Sequence, residues 1–295
     1  MRSSHCSFQC AVRLNNPRAR LRTLPFSCAA MDGGVAEIQG RVWALAQTPG
    51  GSWAVQNALE RLTSDADRLR LVQELRGHTW EALQCPHANH VLQKCVAVLR
   101  AGATQFIVDE LLASGPGAIG RAAKHRYGCR VVQRLLEHLS APLLEDIVKE
   151  LLAGAVKLST HMYGNYVIRC LLEHGPEEAR RNVALALGQQ IGTVLRSRFG
   201  LAVIADALVF GSDEEHRALA NTLAAGDEWL RCVSKANRRH IPTIAHRMME
   251  LLSAHKLQPL RDTLEATEHG MEKRRAGRKL LAMRENWPTH RGIAS

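Results

Sequence analysis

Along most of this chain the apolar residues recur with the period of a helix. In segment 164–173, Val167, Ile168, Leu171 and Leu172 fall at i, i+1, i+4 and i+5, a single stripe down one helical face. The stripe then repeats: segments 51–60, 88–96, 128–137, 164–173 and 200–208 align at offsets of 37, 40, 36 and 36 residues, and a fainter sixth copy runs over 244–250. Each copy predicts three helices. A short one comes first, such as 155–159, then the helix that carries the stripe. The third is opened by Pro142, by Pro176, or by the capping box that Ser212 and Glu215 spell. A unit this small cannot bury its own stripe, whereas stacked neighbours can. The expected fold class is therefore all-α, an α-solenoid with a long concave surface. The repeats span 36–253, between a leader at 1–35 and a basic helical cap or tail at 254–295.

The polar positions of the stripe-bearing helix carry the chemistry. Two of them, four residues apart, hold Ser52 and Gln56, Asn89 and Gln93, Cys129 and Gln133, and Asn165 and Arg169. Residues at i and i+4 lie side by side on a helix. Each unit thus offers a small donor or acceptor beside a long amide or guanidinium, a pair able to grip the edge of a flat base. The residue that follows the first member is Trp53, His90, Arg130 or Tyr166. All four are planar and suited to stacking between bases. Any one of these side chains, taken singly, is an ordinary solvated or core residue. Four in register are not explained by solvation. The fifth copy breaks the pattern, because Leu201, Ala202 and Ala205 offer neither an edge reader nor a stacking group.

Net charge adds less than its size suggests. Of the formal +11, residues 1–35 contribute +4, residues 36–253 only +3, and residues 254–295 another +4. The cationic run Lys273, Arg274, Arg275, Arg278 and Lys279 reads as a solvated helix end, with Leu280, Leu281 and Met283 docking as a cap, or as a phosphate-binding patch. The eight cysteines follow no disulfide or zinc spacing. Cys85, His87, His90 and Cys95 match no common metal template, and neither metal nor cofactor is expected. No run of roughly 18 apolar residues exists to span a membrane. The Arg- and Ser-rich segment 1–30 reads as a transit peptide, or as a leader ahead of a start at Met31.

The stretches 125–138 and 159–175, with the run Asn-His-Val-Leu-Gln-Lys-Cys at 89–95, resemble Pumilio (PUF) repeats. The resemblance extends over about residues 36–253 and is specific over 76–175. It implies a right-handed solenoid whose concave-face triplets read single-stranded RNA, one base per repeat, with the protein N-terminus towards the RNA 3′ end. It implies an adenine reader in Ser52/Gln56 and Cys129/Gln133 and a uracil reader in Asn89/Gln93. Arg169 departs from the glutamine expected beside Asn165. The implied core is 5′-N-A-U-A-3′, with N taken as U. Fewer repeats are visible than the eight typical of the family, and its guanine-reading Ser/Glu pair is absent.

The function expected is thus a monomeric, non-enzymatic binder of mRNA that regulates translation or stability, with an effector or co-binding protein extending the site. Its expected location is the cytoplasm, with nucleus, nucleolus or an organelle as alternatives. Two competing readings are a protein–protein scaffold built of degenerate repeats and a non-specific binder of structured RNA in ribosome biogenesis.

Overall fold

A computed structural model describes residues 35–235 and 237–283. The leader, except for its last residue, lies outside them. Six units of three helices follow one another, the first with an additional short helix, α1, in front. The first has α1 (Val35–Ile38), α2 (Val42–Ala46), α3 (Pro49–Arg61) and α4 (Asp65–Gln73). The second has α5 (Thr79–Gln84), α6 (Ala88–Val98) and α7 (Ala101–Ala113), and the third α8 (Ala118–Lys124), α9 (Gly128–His138) and α10 (Ala141–Ala153). The fourth has α11 (Ala155–Ser159), α12 (Gly164–His174) and α13 (Glu177–Gln189), and the fifth α14 (Ile191–Arg196), α15 (Arg198–Ala207) and α16 (Asp213–Ala224). The sixth has α17 (Asp227–Lys235), α18 (Ile241–Leu251) and α19 (Ala254–Glu272), after which α20 (Arg275–Ala282) packs on α18 and α19. No strand occurs among the described residues.

The stripes do what their period demands. Val131, Val132, Leu135 and Leu136 of α9, and Val167, Ile168, Leu171 and Leu172 of α12, are buried in one continuous core. The sixth copy resolves into register: Ile244, Ala245 and Met248 are buried where α12 buries Val167, Ile168 and Leu171. The stripe-bearing helices pack closely in the order α3, α6, α9, α12, α15, while the third helices pack more loosely. That difference bends the stack, so the stripe-bearing row lines the concave side.

Local signals set the helix starts. Thr48 Oγ1 accepts from Gly51 N at 3.2 Å with Pro49 in the first turn, and Ser64 caps α4. At α16 the capping box forms: Glu215 N donates to Ser212 Oγ at 3.3 Å, and Ser212 N to Glu215 Oε2 at 2.9 Å. Histidines start two of the stripe-bearing helices. The Nδ1 of His125 accepts from Gly128 N, and that of His161 from Gly164 N, each at 3.2 Å. Gly164 is forced by close approach, since a Cβ there would lie 2.9 Å from the Leu158 carbonyl oxygen.

Each of the first three units is closed on itself by a carboxylate clasp that periodicity does not announce. Glu74 Oε1 and Oε2 accept from the backbone N–H of Gly40 and Val42 at 2.6 and 2.9 Å. Glu110 does the same for Gly77 and Thr79, and Glu150 for Gly117 and Ile119. Each clasp satisfies otherwise orphaned N–H groups at the start of a short helix with a charged acceptor from its own unit's third helix.

Candidate nucleic-acid interface

The four planar residues all reach the surface. Trp53 is 48% exposed and Tyr166 38%, and His90 and Arg130 are exposed beside them in register. The guanidinium carbon of Arg130 lies 5.7 Å from the centre of the Tyr166 ring, so these two stacking positions of neighbouring repeats stand side by side. A base inserted between them must part this cation–π pair. Burial and the charge of His87 lower the pKa of His90, which favours its neutral, stacking form.

The first members of the edge pairs behave differently. Ser52, Asn89, Cys129 and Asn165 are all buried. Ser52 Oγ donates to the His87 carbonyl at 2.8 Å, across the repeat boundary. Asn89 Nδ2 donates to Cys85 O at 2.7 Å, Cys129 Sγ to Arg126 O at 3.6 Å, and Asn165 Nδ2 to His161 O at 2.8 Å and Met162 O at 3.0 Å. The donors of Asn89, Cys129 and Asn165 thus knot the turn that opens their own helix, and that of Ser52 ties down the turn that opens α6.

The second members are half-buried and anchored on the first. Gln93 Nε2 donates to Asn89 Oδ1 at 2.9 Å, and Gln56 Nε2 to Ser52 Oγ at 3.2 Å. Gln133 Nε2 donates to Cys129 O at 2.8 Å. Each anchor fixes the amide plane and leaves its oxygen for an incoming edge; Gln93 and Gln133 also keep one N–H, whereas Gln56 Nε2 donates to Ser52 O at 3.1 Å as well. Arg169 is held from elsewhere: its Nε donates to Asp206 Oδ2 of the next repeat at 2.5 Å. Asp206 was not singled out by sequence reasoning. Only its place, one residue beyond Ala205 at the reader position, could have pointed to it.

In the fifth repeat Leu201, Ala202 and Ala205 are 0%, 6% and 3% exposed. The concave surface is closed there. Beside it His240 lies near Arg169. Burial first, then Arg239 and Arg169, push its imidazole down to about 4.

The described cysteines are free thiols. Cys95 is fully buried, its thiol pushed up to about 12 by desolvation, whereas His90 is exposed, so the two share no site. Glu137, Cys170 and His174 do cluster, with ligand atoms within 4.8 Å of one another. Glu137 is paired with Arg134, and Cys170 Sγ donates to Gln133 O at 3.5 Å. Burial and Glu137 hold that thiol firmly protonated.

Comparison with known proteins fits this architecture. The family model for the Pumilio-family RNA binding repeat matches residues 41–76, 84–112, 122–152 and 155–186. The Schizosaccharomyces pombe Pumilio domain-containing protein C6G9.14 is 31% identical over 123 residues, 42% of this chain and 18% of that protein. The Saccharomyces cerevisiae Pumilio homology domain family member 4 is 34% identical over 102 residues, 35% of this chain and 11% of that protein. This chain therefore spans only a small part of the length of these relatives. The crystal structure of PUF-8 in complex with PBE-RNA superposes with a TM-score of 0.73 over 85% of this chain and 73% of that one, at 22% identity. At that identity the likeness is one of fold. With four matched segments, these relatives and a shared solenoid, this chain carries Pumilio-family repeats over residues 41–186.

Proposed function

We propose that this chain binds single-stranded RNA along its first four repeats, one base to each. The observation that carries the reading is the register of Trp53, His90, Arg130 and Tyr166, exposed in sequence beside anchored glutamines or Arg169. PUF-8, solved with PBE-RNA, supports the reading by its shared fold. The order of readers, with the N-terminal repeat at the RNA 3′ end, spells 5′-U-A-U-A-3′. Four bases are few. Stand-alone affinity is therefore weak, and a co-binding protein completes the site.

The physiological reading follows from that chemistry: a monomeric, non-enzymatic regulator of mRNA translation or stability, acting in the cytoplasm. The test is a binding series on short RNAs with single-base changes. A mismatch at the adenine facing Cys129 and Gln133 costs about 1–3 kcal/mol on the scale of a good bidentate base contact. Equal affinity for every variant, with a steep salt dependence, leaves only backbone binding and sinks the code.

A further inference from the structure

The concave ladder does not stop at the sixth repeat. A glycine marks most of its rungs by touching the carbonyl six residues back. A Cβ on Gly51, Gly128, Gly164 or Gly200 would lie 2.3, 2.8, 2.9 or 2.2 Å from the carbonyl oxygen of Leu45, Ala122, Leu158 or Val194. Gly277 meets Met271 O at 2.2 Å in the same relation, and no other described glycine does. Three residues on, Leu280 is buried where α12 buries Val167, and Leu281 packs against the core where α12 places Ile168. The last turn of α19, which ends in Met271 and Glu272, thus plays the part of the short first helix. By this register α20 is the stripe-bearing helix of a seventh repeat. Arg278 and Lys279 take the places that Asn165 and Tyr166 hold in the fourth.

We propose that this seventh rung grips the sugar–phosphate backbone of the RNA strand beyond the four reading repeats, independently of sequence. The inference rests on the RNA reading above and adds to it a second kind of contact at the other end of the groove. Its chemistry differs from that of the reading rungs. An ammonium or guanidinium has donors only, so it cannot match base edges as an amide does, but it pairs well with phosphate. Arg278 and Lys279 are both exposed, and from Lys273 to Met283 there are five cations and no acid. The loop before α18 adds Arg238 and Arg239. Arg274 Nη1 donates to the Lys235 carbonyl, which ties the two loops into one basic edge.

Between the fourth rung and this edge, α15 presents Leu201, Ala202 and Ala205, and α18 presents Pro242, Thr243 and His246. Neither set pairs an edge-reading amide with a planar neighbour. A strand leaving Tyr166 therefore crosses two rungs that do not read before it reaches Arg278 and Lys279. Hidden by two degenerate repeats, this cationic run looks from the sequence like a solvated tail.

The experiment compares three RNAs on the full chain: a UAUA core, the core with an abasic 5′ tail long enough to cross three rungs, and the core with the same tail at its 3′ end. The variant is Arg278→Gln with Lys279→Gln, checked for an unchanged thermal midpoint. The 5′ tail, which the polarity of the readers directs towards α20, should tighten binding to the wild type, and the 3′ tail should not. That advantage should shrink about sevenfold between 50 and 200 mM salt, as two single-strand phosphate contacts at ~0.7 each in the log–log slope require. The double variant should bind the bare core as the wild type does and lose the tail's advantage. If the wild type binds the core but the 5′ tail does not help, or if the variant keeps the advantage, the seventh-rung proposal falls and the four-base reading stands. Failure of all three RNAs to bind overturns both.

Discussion

Arg169 of the fourth repeat donates its Nε to Asp206 of the fifth at 2.5 Å, so the one charged reader is held by the repeat that reads nothing. Burial, with a push from Glu173, outweighs the guanidinium and raises the Asp206 carboxyl above its usual range. The pair uses one face of the guanidinium and leaves its two terminal nitrogens for a base.

Releasing that hold should blur the code at this position. In Asp206→Asn, Arg169 is free to reach phosphates. RNA affinity should rise modestly, while discrimination among bases facing the fourth repeat, about 1 kcal/mol or more in the wild type, should fall towards zero. Titrations against four RNAs that differ only at that base measure it. An unchanged preference would show that Asp206 does not orient the reader.

Tyr166→Ala should separate binding from folding. Stacking of a base on an aromatic is worth about 1–3 kcal/mol, and loss of the ring also frees Arg130, its neighbour at 5.7 Å. RNA affinity should drop by that amount and the thermal midpoint should barely move, because the ring is 38% exposed. A destabilised protein with intact RNA binding would assign Tyr166 to packing.

Gly200→Ala should do the reverse. A Cβ there would sit 2.2 Å from the Val194 carbonyl oxygen, which is backbone and cannot swing away. Overpacking of this kind costs about 1–3 kcal/mol. Thermal or denaturant unfolding should register the loss, whereas the folded fraction should bind RNA as before, since this repeat presents no reader. A variant as stable as the wild type would show that the turn before α15 relaxes at no cost.

Acid should weaken the fold through His240. Its folded pKa of about 4 lies below the ordinary histidine value of roughly 6.5. The unfolded chain therefore takes up this proton first. The contribution is fully present above pH ~6.5 and is lost progressively as pH falls from there towards 4. Nε2 of His240, which accepts from Arg239 Nε at 3.0 Å, must be unprotonated to do so. His240→Gln should lose less thermal stability than the wild type between about pH 7 and pH 5. Parallel curves would mean that this imidazole titrates alike in both states.

Much of the site was visible in the sequence because it is periodic. A stripe at offsets near 36 residues predicts both the stripe-bearing helix and the polar residues riding on it, so Trp53, His90, Arg130 and Tyr166 could be placed on one row before any coordinates. Register becomes uncertain where the signal thins. The copy at 244–250 lacks the glycine, and only the burial of Ile244, Ala245 and Met248 aligned it. The clasps of Glu74, Glu110 and Glu150 recur with the same offsets, but nothing in a helical period says what a solvent-side glutamate will bond.

The sequence by itself determined the helices, their repetition and the need to stack, because burying a stripe is a local pattern with one economical solution. Only the tertiary structure decided what each polar residue is committed to. Ser52, Asn89, Cys129 and Asn165 spend their donors on backbone carbonyls, and Arg169 leans on Asp206 from 37 residues away. It also showed that Gly277 repeats the contact of Gly200. Such pairings depend on which turns the curvature of the stack brings within 3 Å or so of each other, and no one-dimensional period contains that distance.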